Sequence, residues 1–289
     1  MAAADPGRPV LLGVDALGDN RAATIWAADE ARQRGLSLRM VHAVPPAIEG
    51  RASGRILHRE QLEIGRHQLD LAAALARERH PAVEVSTEIA EGVPGPVLVR
   101  TSRGATLVVL GSRELGRIEE MLSTYSVIVP VAAQAGCPVV VVRETEDVAR
   151  RPPHLVVGVD GSATSMAAVD AALDLARWHG AAVRMVWAWK RPRFAPVDEP
   201  ALVRDLRREL AETTARPMAD HPDVDVTHAV VRGHPVDVLA EAARHALAVV
   251  VGRRGSGGYT GMKLGQVPHG LLRKASCPVV TVPGAPSDT

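Results

Sequence analysis

The chain has 289 residues, of which 46% are hydrophobic, 23% charged and only 2% aromatic. This length predicts two globular domains with cores packed mainly from Val, Leu, Ala and Ile. The formal net charge of +1 gives no electrostatic reason to expect nucleic acid or an anionic membrane as a partner. Without a membrane-length apolar run, a signal-peptide pattern or cysteines in a metal or redox spacing, we expect a cytoplasmic protein.

The chain contains the same short sequences twice, in the same order. "VLLGVDALGDNRAA" from residue 10 resembles "LVVGVDGSATSMAA" from residue 155, and "AGCPVVVV" from residue 135 resembles "ASCPVVTV" from residue 275. Three similar matches lie between these two, and the offset between copies falls from 145 to 140 residues through small gaps. A series of matches in one order predicts two copies of one domain, residues 1–146 and 153–289, joined by a polar, proline-containing segment.

Within each copy, short apolar runs alternate with longer amphipathic ones. In the second copy the helix after the first strand follows the cap candidates Ser162 and Thr164 and ends at Gly180. The order βαβαβαβαβ predicts an α/β fold with a doubly wound parallel sheet covered by helices on both faces. The predicted strands are 155–160, 182–188, 224–231, 247–251 and 278–282, and the later helices are 199–217, 236–246 and 267–275.

Ligands of such sheets bind beyond the carboxyl ends of the strands, where the winding reverses. Asp160 ends the first strand of the second copy, and Gly252, Gly255 and Gly265 follow the fourth. A loop with few side chains lets backbone N–H groups approach phosphate oxygens, and the helix after Gly265 directs its positive end at them. The glycine spacing alone would suit a surface turn equally well.

Several features together resemble the universal stress protein family. They are the aspartate that ends the first strand, the G-x2-G-x9-G pattern from Gly252 to Gly265, the "GHP" turn at 233–235 and the final strand "CPVVTV". The resemblance covers nearly the whole chain as two tandem family domains. It implies a Rossmann-like five-stranded sheet in the order 3-2-1-4-5 in each domain and, in one branch of the family, bound ATP.

The resemblance also implies roles for particular residues of the second copy. Adenosine would lie by Gly158 and Asp160, and Ala188 would line the adenine slot. Gly252 and Gly255 would shape the loop, and the phosphates would meet the backbone N–H groups of Gly265, Gln266 and Val267. The implied binding residues are Gly158, Asp160, Ala188, Gly252, Arg253, Gly255, Gly265, Gln266 and Val267. A Mg²⁺ ion held by Asp160 through the phosphates is an accessory expectation.

Two residues depart from the family pattern. Gln266 stands where the family has Ser or Thr, and Pro268 replaces another small polar residue. Proline suits the first turn of a helix but supplies neither an N–H nor a hydroxyl. The alternative to ATP binding is therefore a domain that keeps the family fold but whose nucleotide site is losing its function.

The first copy departs further from the pattern. Gly111 is retained, but Glu114 occupies the second glycine position, and Thr124 or Tyr125 occupies the third. Together with Glu114, the nearby pair Glu119 and Glu120 would place negative charge against a triphosphate. We predict that this domain binds no triphosphate and acts as a structural or regulatory partner.

Other candidate residues have an ordinary structural interpretation. Three histidines are predicted to lie near the crevice: His154, His234 and His269. A solvated loop position is the simpler interpretation of each, and a catalytic role is the alternative. Trp187 and Trp189 alternate along a strand end and are predicted to cover a helix–sheet seam; stacking against adenine is the alternative.

The final strands, 138–142 and 278–282, are apolar and lie at a sheet edge in this topology. An uncovered apolar edge favours pairing with another strand, so the two copies are predicted to pair as an intramolecular pseudo-dimer. A further homodimer would need another surface, which the sequence does not show. Cys137 and Cys277, at equivalent positions before these strands, are interpreted as small buried packing residues.

The leading hypothesis is a stress-response regulatory or interaction protein that binds ATP or a related adenine nucleotide and contacts unidentified proteins. One alternative is a nucleotide-free interaction protein of the same fold. A second is a slow ATP hydrolase or an adenylate-transferring enzyme. The patterns GxxxxGK[ST], GxSxG, HExxH, SGGxDS and HxGH are absent, so the sequence predicts no efficient catalyst.

Overall fold

A computed structural model describes residues 7–47, 52–112, 125–143, 153–191, 198–255 and 264–284. The chain divides into two compact units, Met1–Thr145 and Glu146–Thr289. Each unit alternates strands and helices along the chain, as the repeated sequence predicts.

The first unit has the sheet order β3-β2-β1-β4-β5. Its strands are β1 (Val10–Gly13), β2 (Leu38–Val44), β3 (Val85–Glu91), β4 (Leu107–Ser112) and β5 (Val139–Arg143). Its helices are α1 (Arg21–Arg34), α2 (Ala52–Arg79), α3 (Pro94–Thr101) and α4 (Tyr125–Gln134). Neighbouring strands pair in parallel, with Val10 opposite both Leu38 and Leu107.

The second unit repeats this order as β8-β7-β6-β9-β10. Its strands are β6 (His154–Gly158), β7 (Ala182–Trp189), β8 (Val226–Arg232), β9 (Ala248–Gly252) and β10 (Val279–Val282). Its helices are α5 (Ala163–His179), α6 (Glu199–Ala219), α7 (Pro235–Ala242) and α8 (Gln266–Lys274). The strands again pair in parallel, so the predicted fold and strand order are confirmed in both units.

The repeated sequence produces the same helix ends in both units. Gly35 and Gly180 follow α1 and α5 in the left-handed conformation, with φ of 64° and 56°. Only glycine adopts this conformation without steric cost, and it lets the chain turn from the helix into the next strand.

Each core lies between the sheet and its helices. Fully buried aliphatic side chains such as Leu12, Met40, Leu155 and Met185 fill it, in place of the scarce aromatics. Cys137 and Cys277 are both buried and free of disulfides, in agreement with the packing role predicted for them.

Each strand and later helix predicted in the second copy differs from the observed one at one or both ends. β6 ends at Gly158 instead of residue 160, because the Asp160 amide turns toward Ser165 Oγ, 3.4 Å away. α7 ends at Ala242 instead of residue 246, since the chain then tightens into i→i+3 turns such as Ala246 N–H to Ala243 O at 3.0 Å. α6 runs two residues further than predicted, to Ala219.

Candidate functional site

The second unit has a cavity of about 380 Å³ beyond the carboxyl ends of β6 and β9. This is the crevice in which doubly wound sheets bind their ligands. Eight of the nine predicted binding residues line it: Gly158, Asp160, Ala188, Gly252, Gly255, Gly265, Gln266 and Val267.

The Asp160 carboxylate is held in a fixed orientation at this edge of the sheet. Its Oδ1 accepts hydrogen bonds from the Ser162 amide at 3.1 Å and the Ser162 hydroxyl at 2.6 Å. Ser162 also caps α5, accepting a hydrogen bond from the Ser165 amide at 3.2 Å. One serine therefore joins the carboxylate to the first turn of the helix.

Gly252 allows the end of β9 to pack directly against the start of α5. A Cβ built on Gly252 would come within 2.7 Å of both the carbonyl carbon and the carbonyl oxygen of Thr164. The Thr164 hydroxyl then donates a hydrogen bond to the Arg254 carbonyl. These contacts fix where the glycine loop leaves the sheet.

Arg253 is the one predicted binding residue that does not line the cavity. Its backbone N–H donates to Val282 O at 2.7 Å, and its carbonyl accepts from the Gly265 amide at 2.9 Å. Its backbone thus connects β10 to the far end of the loop. The neighbouring residue Arg254 is exposed and lines the cavity instead.

Gly265 also has a different role from the one expected. The family resemblance implies that its amide meets a phosphate, but this amide donates to Arg253 O and closes the loop. A Cβ on Gly265 would lie 3.3 Å from that same oxygen, which is tighter than ordinary contact. Gly265 therefore permits a close backbone crossing at the N-cap of α8.

Gln266 and Val267 lie in the first turn of α8, and both residues line the cavity. Helix geometry leaves the first amides of a helix without an intrahelical acceptor. Pro268 comes next and has no N–H, while the His269 amide donates to Gly265 O at 3.2 Å. Two backbone donors and the positive end of the α8 dipole thus meet at this part of the cavity.

The opposite wall of the cavity is apolar. A Cβ on Gly158 would lie 2.9 Å from Leu239 and 3.1 Å from Val251, so the glycine keeps β6 close to α7 and β9. Gly161 has a φ of 75°, and its backbone lies close to the Trp187 ring. A Cβ built on Gly161 would lie 3.2 Å from that ring. Trp187 lines the cavity, whereas Trp189 is buried under the Arg232 guanidinium, 5.9 Å from the ring centre.

Several lining residues were not predicted from the sequence, among them Arg254, Ser165 and Leu239. Ser165 could have been suspected from its position in the cap sequence "SATS". Leu239 carries no such signal, because it comes from a helix remote in sequence and reaches the cavity only through packing.

The candidate histidines do not line the cavity. His154 begins β6, at the end of the strand away from the cavity, so its predicted position near the crevice is wrong. His234 is the N-cap of α7, and His269 is the fourth residue of α8. Neither residue lines the cavity. Among the described residues, no group of three or more His, Cys, Asp or Glu could hold a metal ion.

The first unit has a smaller cavity of about 190 Å³ at the equivalent edge, lined by Asp15, Asn20, His42 and Gly111 among others. Asn20 closes the loop after β1: its Nδ2 donates to Asp15 O at 2.8 Å, and its Oδ1 accepts from the Asp15 amide at 2.9 Å. The residues named as opposing a triphosphate, Glu114, Glu119, Glu120 and Thr124, lie outside the described residues, as does the Tyr125 side chain.

The fold and the repeat agree with the comparisons to known proteins. The chain belongs to the universal stress protein family, whose family model matches residues 7–143 and 153–283. A relative in Mycobacterium bovis, universal stress protein Mb2028c, is 34% identical over 286 residues that cover 94% of this chain and 95% of the relative. None of the helices that the structure describes has the length and apolar character required to span a bilayer.

Solved structures give the same fold. A universal stress protein from Archaeoglobus fulgidus DSM 4304 aligns with a TM-score of 0.71 and 15% identity, covering 96% of this chain and 97% of its own. At that identity the likeness concerns the fold alone. A universal stress protein solved in complex with cAMP is 29% identical over 46% of this chain and 98% of its own, with a TM-score of 0.36.

Proposed function

We propose that the C-terminal domain binds ATP or a related adenine nucleotide, and that the protein acts as a stress-response regulatory protein through contacts with other proteins. The observation that carries the proposal is the arrangement of the 380 Å³ cavity. It joins a region lined by Ala188 and Trp187 to a region lined by Arg254 and by Gln266 and Val267 in the first turn of α8. An adenine base fits the first region and an anionic phosphate the second.

We also propose that the protein is not an efficient enzyme. Slow ATP hydrolysis or adenylate transfer is the alternative. A Mg²⁺ ion would need the nucleotide's own phosphate oxygens, because Asp160 is the carboxylate that lines this cavity. The N-terminal domain is proposed to bind no triphosphate and to act as a structural or regulatory partner.

Two properties stay predictions from the sequence. They are the cytoplasmic location and the pairing of the two domains through their final strands. Replacing Val140 or Val280 in those strands with Lys would test the pairing, since a charge at a paired apolar edge favours separation of the domains. Small-angle scattering of the full chain reports that separation.

The nucleotide proposal is tested by calorimetry with ATP and AMP on the full-length protein, together with mass spectrometry of ligand carried through purification. We expect saturable binding of one nucleotide per chain. Gly265→Asp should abolish it, because the added carboxylate would lie at the phosphate end of the cavity. An absence of heat and competition at millimolar nucleotide would favour the nucleotide-free alternative.

Gly111→Asp is the matched control, since Gly111 lines the first unit's cavity and a Cβ there has room, with its nearest neighbour 3.6 Å away. Binding should be unchanged in this variant if the N-terminal domain takes no triphosphate. Release of ADP or AMP above the Gly265→Asp background, at about one turnover per second or faster, would favour the enzyme alternative.

A further inference from the structure

Helix α2 exposes a line of large apolar side chains that the fold does not cover. Leu57 is 54% exposed, Ile64 43% and Leu71 53%. They are spaced seven residues apart, so they lie on one side of the helix over about 21 Å, with a drift of about 20° per step. We call these three residues the α2 stripe.

The second domain provides an internal comparison. The sequences "HPAVEV" from His80 and "HPDVDV" from His221 align the ends of α2 and α6 with an offset of 141 residues. The same offset matches buried Leu69 to buried Leu210. It also matches the α2 stripe to three acidic residues: Asp198, Asp205 and Glu212.

At the equivalent positions of α6, Asp205 and Glu212 are 64% and 72% exposed and pair with Arg208. The same place in the same fold is thus solvated and charged in one domain and apolar in the other. The architecture itself does not require the apolar residues. A surface helix normally keeps polar residues on its outer side, and a continuous exposed apolar line marks an interaction surface.

The α2 stripe is complementary to itself. Leu57 and Leu71 lie at equal distances along the helix on either side of Ile64. In an antiparallel pair of α2 helices related by a two-fold axis at Ile64, Leu57 of each copy therefore lies opposite Leu71 of the other. Seven-residue apolar spacing is the pattern by which helices pack side by side.

The residues flanking the stripe fit the same arrangement. Glu60 and His67 are exposed next to it, four residues before and three residues after Ile64. The same two-fold axis brings Glu60 of one copy close to His67 of the other, twice per pair. On the other flank Gln61 and Gln68 are uncharged, so no like charges oppose each other there.

We propose that the α2 stripe is a homodimerisation surface, on which a second copy of this chain packs its own α2 in antiparallel orientation. The α2 stripe shares no residue with the nucleotide cavity or with the final strands of the two domains, β5 and β10. The proposal therefore does not depend on the proposed nucleotide binding. The acidic equivalents on α6 would repel each other, which restricts the pairing to the N-terminal domain.

Sedimentation and light scattering on the full-length protein over a wide concentration range test the proposal. We expect a reversible dimer, with Ile64→Glu raising its dissociation constant by about tenfold or more because two carboxylates would meet on the axis. Arg66→Glu is the matched control: Arg66 is exposed on the far side of the same helix, so its replacement should leave the dimer unchanged. Circular dichroism verifies that each variant folds.

Disulfide formation gives an independent readout. Ile64→Cys should form a symmetric disulfide between two copies under mild oxidation, whereas Arg66→Cys should not. The natural Cys137 and Cys277 are buried and do not compete. A protein that stays monomeric at high concentration, or a dimer that persists in Ile64→Glu without the Ile64→Cys crosslink, would overturn the proposal.

Discussion

Gly255 lies so close to Asp160 that a Cβ built on it would come within 2.5 Å of Asp160 Oδ2. The other carboxylate oxygen is held by the Ser162 amide and hydroxyl. The glycine loop and the end of the first strand therefore meet at this one carboxylate. This contact brings the loop next to the end of β6, the first strand of the second domain, although the two are far apart in sequence.

The contact predicts the effect of Gly255→Ala on nucleotide affinity. The added methyl group must displace Asp160 or the loop, so we expect the affinity of the full-length protein for ATP to fall about tenfold. Calorimetry measures the change, and thermal unfolding verifies that the fold is kept.

Ser162→Ala provides the comparison for that experiment. This change removes the Ser162 hydroxyl as a donor to Asp160 Oδ1 and leaves the amide donor in place. Asp160 is then held less firmly, so the same glycine substitution should cost less affinity in the Ser162→Ala background. An equal loss in both backgrounds would mean that the methyl group acts on the loop and not through Asp160.

Gly252 and Gly111 occupy equivalent positions in the two domains but differ in their surroundings. Gly252→Ala would place a methyl group 2.7 Å from the Thr164 backbone, whereas in Gly111→Ala the nearest atom is 3.6 Å away. Backbone cannot move aside as a flexible side chain can. We expect Gly252→Ala to lower the free energy of unfolding by about 1–3 kcal/mol and Gly111→Ala to change it far less.

Chemical denaturation with a probe for each domain measures this difference. A tryptophan of the second domain, Trp187 or Trp189, reports on the domain that contains Gly252. Equal destabilisation by the two alanine variants would contradict the close packing of β9 against α5.

Two substitutions at Gln266 distinguish the contribution of its backbone amide to ATP binding from that of its side chain. Gln266→Ala keeps the backbone N–H, and Gln266→Pro removes it at the first helical position, where proline is well tolerated. Gly265 has φ of −69° and ψ of 165°, an extended conformation compatible with a following proline. We expect the proline variant to bind ATP more weakly than the alanine variant, by about tenfold.

Titration of the two variants with ATP and with adenosine checks the assignment. Adenosine has no phosphates, so its affinity should be similar in both variants. If alanine and proline weaken ATP binding equally, the Gln266 side chain and not the amide would be the phosphate ligand.

A buried histidine couples the stability of the second domain to pH. His221 Nδ1 lies 2.9 Å from Pro217 O, and Nε2 lies 3.1 Å from Asp174 Oδ1. Burial lowers the pKa of His221, but the Pro217 carbonyl and the Asp174 carboxylate outweigh it and raise this pKa above its ordinary value. The first unit has an equivalent pair, His80 and Asp29, at 2.6 Å.

The raised pKa sets the direction of the pH effect. The added stability is fully present below the ordinary imidazole pKa of about 6.5 and is lost as the pH rises through the folded-state pKa. Asp174→Asn should therefore lower the melting temperature more near about pH 6 than near about pH 9. Thermal unfolding across this range measures the difference.

Asp170→Asn is the matched control for Asp174→Asn. Burial, together with the nearby Asp174 carboxylate, raises the pKa of Asp170, so its charged form is disfavoured in the folded protein. Removing that charge should not reproduce the loss near about pH 6. If Asp174→Asn lowered the melting temperature by the same amount at every pH, a charged pair of His221 and Asp174 would be contradicted.

The sequence alone predicted the fold because its signals are local and repeated. The apolar runs at 155–160 and 247–251, the caps at Ser162 and Gly180 and the two copies of one pattern each depend on the chain's own periodicity. The position of Asp160 against the glycine loop followed from the rule that parallel strands end at one edge of the sheet.

The details of the site depended on packing between distant segments. Whether Arg253 or Arg254 faces the cavity is decided by the bond from Arg253 to Val282. Leu239 reaches the cavity because α7 packs against Gly158. No local pattern distinguishes these neighbours, since the deciding partner lies tens of residues away in the chain.

The α2 stripe shows the same division most clearly. The periodicity of the sequence determines that Leu57, Ile64 and Leu71 share one side of a helix. It does not determine whether that side is covered, because an apolar side chain has the same spacing in a core and on a surface. Only the tertiary structure, which packs Leu69 against the sheet side and leaves Ile64 exposed, decided which residues remain available to a second molecule.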